Sequence, residues 1–418
     1  MRQILITNWR QDIIFNIYYQ AMKAAKMASV SAMEPMLPDD HRHALADLAT
    51  DLIAKAGVLG GRLHPAMRSN VGDLVRSMNC YYSNLIEGHN TLPADINRAL
   101  AGDFAEDRQR RNLQLEARAH IEVQRMIDDG HAPSPALSMD FILWVHRTFC
   151  ERLPDDLLWV ENPETGEKLR VIPGELRRRH VRVARHIPPD PQDLPAFLAR
   201  LIESYRSSRI SKLQKIVAAA ASHHRLAWIH PFLDGNGRVA RLFSHAWLCE
   251  LGVGSEIWSI SRGLARNVAE YKSKLMAADE PRRGDLDGRG NLTEAGLEQF
   301  CGFFLATCVD QVTFMEKLLE PAELLGRIEV WCAEEVRARR LPRGSWPLLR
   351  EAVIAGEFPR GRAPELTGYE TRQARTVLNT LVRDGYLASA NPRAPVRLGF
   401  PLTVLDRWFP RLYVAAPM

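Results

Sequence analysis

The stretch His230-Pro231-Phe232-Leu233-Asp234-Gly235-Asn236-Gly237-Arg238-Val239-Ala240-Arg241 decides the fold of this chain. A nearly all-apolar segment, residues 211–229, precedes it with helical periodicity, which predicts a buried helix that delivers His230 rigidly to a loop. Gly235 and Gly237 permit backbone shapes that other residues resist, and consecutive amides there can form a nest for an anion. The stretch therefore predicts an anion site beside a histidine.

A second helix, predicted over residues 237–250, adds its N-terminal amides and dipole to this anion site. Arg238 and Arg241 are three residues apart and project from one face of it, so two guanidiniums complete a cradle for a polyphosphate. Asp234 offers oxygen to Mg²⁺, and His230 can take a proton from an attacking hydroxyl. Each of these residues, taken alone, has a structural alternative. The segment could be a tight glycine-rich turn between two core helices, in which the histidine has a packing role.

The twelve residues match the Fic motif HPFxDGNGRxxR at every fixed position, and the chain resembles the Fic family over residues 70–310. The resemblance implies a mainly α fold, with a helical Fic core and a short β-hairpin flap. It also implies transfer of a nucleotide monophosphate, usually AMP from ATP, to a Ser, Thr or Tyr hydroxyl. The resemblance implies that His230 is the general base and that Asp234 binds Mg²⁺ and handles the proton. It implies that Asn236 and the amides of Gly235 and Gly237 contact the α and β phosphates. It further implies that Arg238 binds the β phosphate, that Arg241 binds the γ phosphate, and that Phe232 is a buried anchor.

An amphipathic helix is predicted upstream of the motif, over residues 70–87. Asn70 is its predicted N-cap, and Gly88 follows its C-terminus as a residue suited to a left-handed backbone. Glu87 in the last turn opposes the helix dipole. A solvated carboxylate tolerates that position, whereas a buried one needs a cation.

Ser83-Asn84-Leu85-Ile86-Glu87-Gly88 resembles the Fic inhibitory motif [S/T]xxxE[G/N], which makes residues 70–88 an inhibitory helix N-terminal to the core. The resemblance implies that Glu87 pairs with Arg241 and thereby removes the γ-phosphate ligand. It also implies that Ser83, one turn back on the same face, steadies the carboxylate. Low basal activity is the expected consequence.

Strand signals are sparse, and the main one is RRRHVRVARHI, residues 177–187, which predicts a short β-hairpin. Fic proteins carry a target-binding flap at this position, so the resemblance implies that Arg182 and Val183 pair with the target peptide. The five arginines between residues 177 and 185 fit an acidic target or a solvated edge equally well.

Residues 261–275 resemble the Fic helix that packs on adenine and ribose. Asn267 and Tyr271 lie four apart on one face, where an amide and an aromatic ring suit a base. A packed tyrosine and a cap-like asparagine explain them equally well. His223 is expected to be structural.

Helical periodicity dominates the chain up to about residue 320. The predicted regions are an uncertain N-terminal extension (1–40), a helical region with the inhibitory helix (41–110), the Fic core (111–320) and a C-terminal domain (321–418). Met27 and Met33 are alternative starts within the extension. The predicted helices span 41–56, 70–87, 111–128, 138–151, 193–206, 211–229, 237–250, 265–277 and 293–320, with loops at 88–93, 153–175, 186–192 and 280–292.

The C-terminal domain is predicted to be a winged helix. The predicted elements are helices at Ser345–Ala355, Ala363–Leu366 and Thr371–Asp384, with Thr371 as N-cap, and strands at Tyr386–Leu387 and Val396–Leu398. Residues 337–397 hold 12 Arg, no Lys and 5 acids, a net charge of +7, although the whole chain carries +5. DNA is therefore a candidate partner here, and protein contacts are the alternative.

Composition indicates a globular cytoplasmic protein without a membrane span, since hydrophobic residues make up 46% of the chain and charged residues 25%. The six scattered cysteines form no CxxC pair and are expected to be free thiols. Three hypotheses about function stay open. The first is an autoinhibited protein adenylyltransferase that uses ATP and Mg²⁺ and can form a homodimer and modify itself. The second is an enzyme of the same fold that removes AMP, and the third is a DNA-binding regulator whose Fic site senses nucleotide.

Overall fold

The computed structural model describes residues 29–40, 43–162 and 165–413. The chain forms two compact units, each built of several separate segments. Unit 1 takes the described residues up to Ala54 together with Asn79–Ser255 and Ser259–Gln311, and unit 2 takes Lys55–Met78, Glu256–Trp258 and the described residues from Val312 onward. The four regions expected in chain order stay predictions. Met27, one alternative start, lies outside the described residues, whereas Met33 is fully buried.

The structure is mainly helical, as predicted. The α-helices of the described residues are α1 Ala44–Arg62, α2 Pro65–Ile86, α3 Pro93–Leu100, α4 Arg108–Asp128, α5 Met139–Cys150, α6 Leu194–Arg206, α7 Lys212–Ile229, α8 Asn236–Glu250, α9 Ser261–Arg266, α10 Val268–Asp279, α11 Glu294–Leu318, α12 Pro321–Arg337, α13 Ser345–Ile354, α14 Ala363–Thr367, α15 Thr371–Arg383 and α16 Leu402–Trp408. No described helix combines the length and the hydropathy that a membrane crossing requires.

Helices α7 and α8 form the centre of unit 1 and pack extensively against each other. A capping box fixes the start of α7: the Ser211 hydroxyl accepts a hydrogen bond from the Gln214 amide, and the Gln214 side chain accepts one from the Ser211 amide. Four consecutive alanines, residues 218–221, are fully buried in its middle. The predicted helix at 211–229 is confirmed.

Two helix predictions need correction. Helix α2 begins at Pro65, a residue favoured in the first turn, so Asn70 lies inside the helix instead of capping it. The Asn70 side chain instead donates a 2.7 Å hydrogen bond to the Leu398 carbonyl. The single helix predicted at 265–277 is two helices, α9 and α10, which meet at Asn267.

The hairpin also lies elsewhere than predicted. Strands β1 (Trp159–Glu161) and β2 (Lys168–Arg170) pair antiparallel inside the predicted loop 153–175. In the predicted hairpin, residues 177–187, only a single bridge forms, between Val183 and His186. The predicted segment is held by side-chain hydrogen bonds, such as those of Arg177, instead of by hydrogen bonds between two strands.

The C-terminal part of unit 2 contains α13, α14 and α15 with a small antiparallel sheet. Its strands are β3 (Glu357–Phe358), β4 (Leu387–Ala388) and β5 (Val396–Leu398), in the order β3–β5–β4. The predicted helices and the last strand agree with this structure, whereas β3 was not predicted. Thr371 is the first residue of α15 and Glu370 precedes it as the cap, so the predicted Thr371 N-cap is wrong. The winged-helix assignment stays a prediction.

Candidate active site

His230 ends helix α7 in a left-handed backbone conformation, with φ of 48°. Its amide still donates to the Leu226 carbonyl, while its imidazole is buried. Nε2 of the ring makes no hydrogen bond within the described residues. Burial, assisted by the charge of Arg177 and by His186, lowers the pKa of His230 to about 3. The ring is therefore neutral at physiological pH. Burial weakens Nε2 as a base, but this atom makes no hydrogen bond within the described residues and so is free to face a hydroxyl.

Asn236 and Phe232 hold the loop that follows His230. The Asn236 side chain accepts a 2.9 Å hydrogen bond from the Phe232 amide and donates a 2.8 Å bond to the Phe232 carbonyl. Phe232 is fully buried and stacks on His146, with ring centroids 3.9 Å apart. Phe232 thus anchors the loop, as the family resemblance implied. The side chain of Asn236 thus closes the loop, and its contact with phosphate stays a prediction.

The loop ends at the N-terminus of α8. Gly235 precedes the helix with φ of 80°, a conformation that glycine adopts without steric cost. Asp234, beside it, accepts a 2.8 Å hydrogen bond from the Gly235 amide and is partly exposed. No group of three or more His, Cys, Asp or Glu residues in the described part of the chain could enclose a metal. Mg²⁺ commonly binds one carboxylate plus substrate phosphates and water, so Asp234 fits such an ion.

Arg241 is held by the end of helix α2. Its Nη2 donates a 2.5 Å hydrogen bond to Oε1 of Glu87 and a 3.3 Å bond to the Ser83 carbonyl, and its Nε donates a 2.9 Å bond to the Ser83 hydroxyl. The side chains of Arg241 and Glu87 are 2% and 14% exposed, so this ion pair is largely desolvated. The pair implied by the inhibitory motif therefore forms. Ser83 binds the arginine, however, and not the carboxylate.

Glu87 also covers Gly237 in the first turn of α8. A Cβ atom built on Gly237 would lie 2.3 Å from Oε1 of Glu87. Gly88 has φ of 81° and ends α2 there, as predicted. The Glu87 carboxylate thus occupies the positive end of α8, where the amides and dipole favour an anion.

Arg238 lies against two residues that no sequence motif indicated, and Glu116 is the one that accepts its hydrogen bond. Its Nη2 lies 2.8 Å from Oε1 of Glu116 on α4 and 3.1 Å from Nδ1 of His89. Burial disfavours the charge of Arg238, but the carboxylates of Glu116, Glu87 and Asp234 outweigh burial and raise its pKa above the ordinary value. One sequence pattern could have indicated Glu116. Glu116, His120 and Gln124 are polar residues spaced four apart, and they form a buried polar stripe on α4.

Arg177 is a further buried residue that the sequence patterns did not indicate. Its Nε donates a 2.8 Å hydrogen bond to the His230 carbonyl, and its Nη2 donates a 2.6 Å bond to the Pro189 carbonyl. Its amide donates to the Pro231 carbonyl. Arg177 therefore ties the segment predicted as a flap to the backbone of His230. In that segment Arg182 is exposed and Val183 partly exposed.

Tyr271 and Asn267 make separate hydrogen bonds in the structure. The Tyr271 hydroxyl lies 2.7 Å from Nε2 of His223, and the ring is buried. Burial raises the pKa of Tyr271 to about 12. The Asn267 side chain donates to the Gly263 carbonyl at the junction of α9 and α10. These contacts fit the packing and capping roles that the sequence left open, and binding of a base by the two residues stays a prediction.

Comparison with known proteins finds a family match around His230 and α8. Residues 136–248 match the family model described as Fic/DOC family. These residues are therefore similar to a Fic domain. The matched region contains the loop from His230 and most of α8, whereas Glu87, His89 and Glu116 precede it.

Curated relatives match one third of the chain. Proteins named protein adenylyltransferase Fic from Drosophila erecta and Drosophila willistoni are 32% and 31% identical over 145 residues, which is 33% of this chain. The chain thus spans 29% of the length of these relatives. A solved structure of a Fic family protein from Desulfovibrio desulfuricans G20 aligns over 85% of this chain and 96% of its own, with 18% identity and a TM-score of 0.47.

Proposed function

We propose that this protein transfers AMP from ATP to a Ser, Thr or Tyr hydroxyl of a protein, and that Glu87 inhibits it. The observation that carries the proposal is the position of His230. Its neutral Nε2 has no hydrogen-bond partner in the described residues and belongs to the loop that leads into the α8 N-terminus. Arg238 and Arg241 lie in the first two turns of that helix. A proton acceptor and an anion cradle therefore meet in one short stretch.

The reaction is a displacement at the α phosphorus of ATP. The target hydroxyl oxygen forms the new bond to that phosphorus while the bond to the bridging α–β oxygen breaks, and pyrophosphate leaves. The hydroxyl proton passes to Nε2 of His230. Catalysis then depends on positioning and charge stabilisation, which the α8 amides and the two arginines provide. Arg177 fixes the backbone of His230 and so contributes to the positioning.

Asp234 would hold Mg²⁺ in this proposal. The ion would neutralise part of the phosphate charge when it is bound. Asp234 already accepts a hydrogen bond from the Gly235 amide, which orients its carboxylate at the edge of the cradle.

The inhibition that we propose comes from two contacts of the Glu87 carboxylate, one with Arg241 and one with Gly237. The carboxylate pairs with Arg241, the implied γ-phosphate ligand, and it covers Gly237 at the positive end of α8. A triphosphate must displace it from both. Leaving a buried arginine unpaired is costly, about 3–5 kcal/mol for a fully buried pair, so release requires the incoming phosphate to replace the carboxylate.

The test is a pair of labelling reactions with Mg²⁺, one using ATP labelled at the α phosphate and the other using ATP labelled at the γ phosphate. Wild type, Glu87→Gly and Glu87→Gly/His230→Ala are compared. Label from the α position alone, stronger in Glu87→Gly and absent from the double variant, is the expected result. Label from the γ position would indicate a kinase-like reaction, and equal labelling of wild type and Glu87→Gly would disprove the inhibition.

Removal of AMP from a modified protein is the second candidate for the same site. It is favoured by the position of Glu87, whose carboxylate lies over Gly237 and could orient a water there. Glu87→Gly distinguishes the two directions. Transfer becomes faster in this variant if the carboxylate only inhibits, whereas release of AMP from a premodified protein stops if the carboxylate positions the water.

The proposed location is the cytoplasm, and the proposed partner is a protein that offers a hydroxyl. Five of the six cysteines are buried, and all six are free thiols, which suits a reducing compartment. A homodimer that modifies itself stays a prediction.

DNA is proposed as a partner of unit 2. The N-terminal half of α15 exposes Arg372, Gln373, Arg375 and Thr376, residue types that bind phosphates and base edges. Helices α14 and α15, joined by a short turn, have the order in which a recognition helix enters the major groove. Arg393, between β4 and β5, is exposed as well.

Binding of duplex DNA at several salt concentrations tests this partner. Replacing Arg372 and Arg375 by Ala is expected to weaken binding and to reduce the salt slope by about 2, because each arginine neutralises one phosphate. Arg383→Ala is the matched control, since Arg383 on the same helix pairs with Asp384. Equal binding by wild type and the double variant would instead favour a protein partner. DNA binding without any transfer of AMP would favour a regulator whose Fic site senses nucleotide.

A further inference from the structure

His89 and Glu116 form a buried link to Arg238 that lies outside both sequence motifs. Glu116 of α4 accepts a hydrogen bond from Arg238 through Oε1, and its Oε2 lies 2.7 Å from Nδ1 of His89. The side chains of Arg238 and Glu116 are 5% and 2% exposed. Nε of Arg238 is buried without a hydrogen bond in the described residues, so this donor stays available for an anionic ligand.

The chain connects this link rigidly to the inhibitory glutamate. His89 follows Glu87 by two residues, with Gly88 between them. The amides of Gly88 and His89 donate to the Leu85 and Asn84 carbonyls at 3.0 Å and 2.8 Å, which closes the end of α2. Glu87 and His89 therefore belong to one turn, and neither moves far without the other.

We propose that His89, through Glu116, is a second attachment point of the inhibitory segment. Glu87 holds Arg241, and His89 connects the same segment to Arg238, so one turn of chain restrains both motif arginines. This inference rests on the proposed function. For the segment to leave, His89 must separate from Glu116 while Glu87 separates from Arg241, and an incoming phosphate can bind Nε of Arg238 as this happens.

The structure has room for this release. A cavity of about 730 Å³ is lined by Gly88, His89 and Asn90 of the segment, and by residues of α4 that include Glu116. His89 can leave Glu116 by turning into this space, and the helical core need not repack. Glu116 stays on α4 and continues to orient Arg238, which makes it a positioning residue.

His89→Ala in the full-length chain is the direct test, with Asn90→Ala as the matched control. Asn90 is the exposed neighbour of His89. Binding of Mg²⁺ with an ATP analogue that has a methylene between the α and β phosphorus atoms is measured by calorimetry. His89→Ala is expected to bind the analogue about tenfold more tightly than wild type, since one hydrogen bond to a charged group is lost from the inhibited state. Asn90→Ala is expected to bind as wild type does.

Hydrogen exchange gives a second readout that needs no activity. Amides in the last turn of α2 are expected to exchange faster in His89→Ala than in Asn90→Ala. Glu116→Gln, which keeps the side-chain shape and removes the charge, is expected to do the same. Unchanged exchange in both His89→Ala and Glu116→Gln would overturn the proposal, whatever their activities.

The double variant His89→Ala/Glu87→Gly tests whether His89 and Glu87 restrain the inhibitory segment together or independently. Once Glu87 is gone the segment no longer blocks the site, so His89→Ala is expected to improve analogue binding by less than about twofold further. A full tenfold gain on top of Glu87→Gly would contradict the coupling. If exchange and binding respond as expected while no variant transfers AMP, the second attachment stands and the proposed function fails.

Discussion

Glu87 and Gly237 are packed so closely that position 237 has no space for a side chain. A Cβ atom there would lie 2.3 Å from Oε1 of Glu87 and 3.1 Å from Nη1 of Arg241. The absence of a side chain at Gly237 thus serves the inhibited state directly, because it lets the carboxylate approach the first turn of α8.

Gly237→Ala is therefore expected to destabilise the protein by about 1–3 kcal/mol, as overpacking of a filled site does. Removing the carboxylate with Glu87→Gly is expected to relieve at least about 1 kcal/mol of this cost. Urea unfolding of the two single variants and the double variant measures both quantities. Gly302→Ala is the control, since a Cβ there would meet only Leu45, at 3.7 Å. Strictly additive effects of Gly237→Ala and Glu87→Gly would refute the packing relationship.

The pH profile of transfer tests the protonation state of His230. Its pKa of about 3 means that the free enzyme carries the neutral ring at any pH well above that value. For Glu87→Gly, kcat/KM is expected to be flat between about pH 5.5 and pH 8, with no loss on the acid side near the ordinary histidine pKa of about 6.5. Initial rates with Mg²⁺ in excess measure the profile. An acid limb centred near pH 6.5 would show that His230 is not desolvated as described.

Arg177→Lys tests the positioning of the His230 backbone. A lysine offers one compact ammonium group and cannot reach the His230 and Pro189 carbonyls together as the guanidinium does. We expect kcat in the Glu87→Gly background to fall about tenfold, while ATP binding changes by less than about twofold. Kinetics and calorimetry separate the two effects. Loss of ATP binding in step with kcat would mean that Arg177 supports the cradle instead of the histidine.

Four of the buried histidines in the described residues lower the stability of the fold as the pH falls. Burial is the main cause that lowers the pKa of His120, His223 and His230 to about 3 and that of His146 to about 4. The unfolded chain takes up their protons near pH 6.5, whereas the folded chain does not. Each histidine therefore lowers the free energy of unfolding by about 1.4 kcal/mol for every pH unit below about 6.5.

Denaturant unfolding at pH 7.5 and pH 5.5 measures this loss. His120→Leu is expected to reduce the difference between the two pH values by about 1 kcal/mol, because one site of proton uptake disappears. His120 is suited to this test since neither ring nitrogen makes a hydrogen bond in the described residues. His131→Leu, at an exposed site, is the control. The same change in both variants would assign the effect to the leucine and not to burial.

Contiguous features of the site were predictable from sequence. Two short sequence motifs, residues 230–241 and residues 83–88, predict the loop from His230, the start of α8 and the Glu87–Arg241 pair. Glu116 and Arg177 were not predictable in this way. Each acts on a residue more than 50 positions away, and a charged residue on a helix or in a loop is usually solvated. Only the three-dimensional packing shows that these two are buried.

The fold shows the same division. Helices α7 and α8 were predicted to within a residue or two, because helical periodicity is a local property. Asn267 interrupts a predicted helix, and nothing in its immediate sequence separates a break from a continuous helix. The hairpin was predicted at the wrong place because alternation of residues does not show which backbone a segment will contact: β1 pairs with β2, whereas Arg177 of the predicted segment binds the His230 and Pro189 carbonyls.

The left-handed backbone of His230 has a consequence for protein engineering. A residue with a Cβ atom in this conformation is strained by about 1–2 kcal/mol relative to glycine. The buried ring adds an unsatisfied nitrogen to that strain. Selection of variants for thermal stability alone will therefore favour replacement of His230, the proposed proton acceptor. Position 230 must be held fixed when such variants are selected.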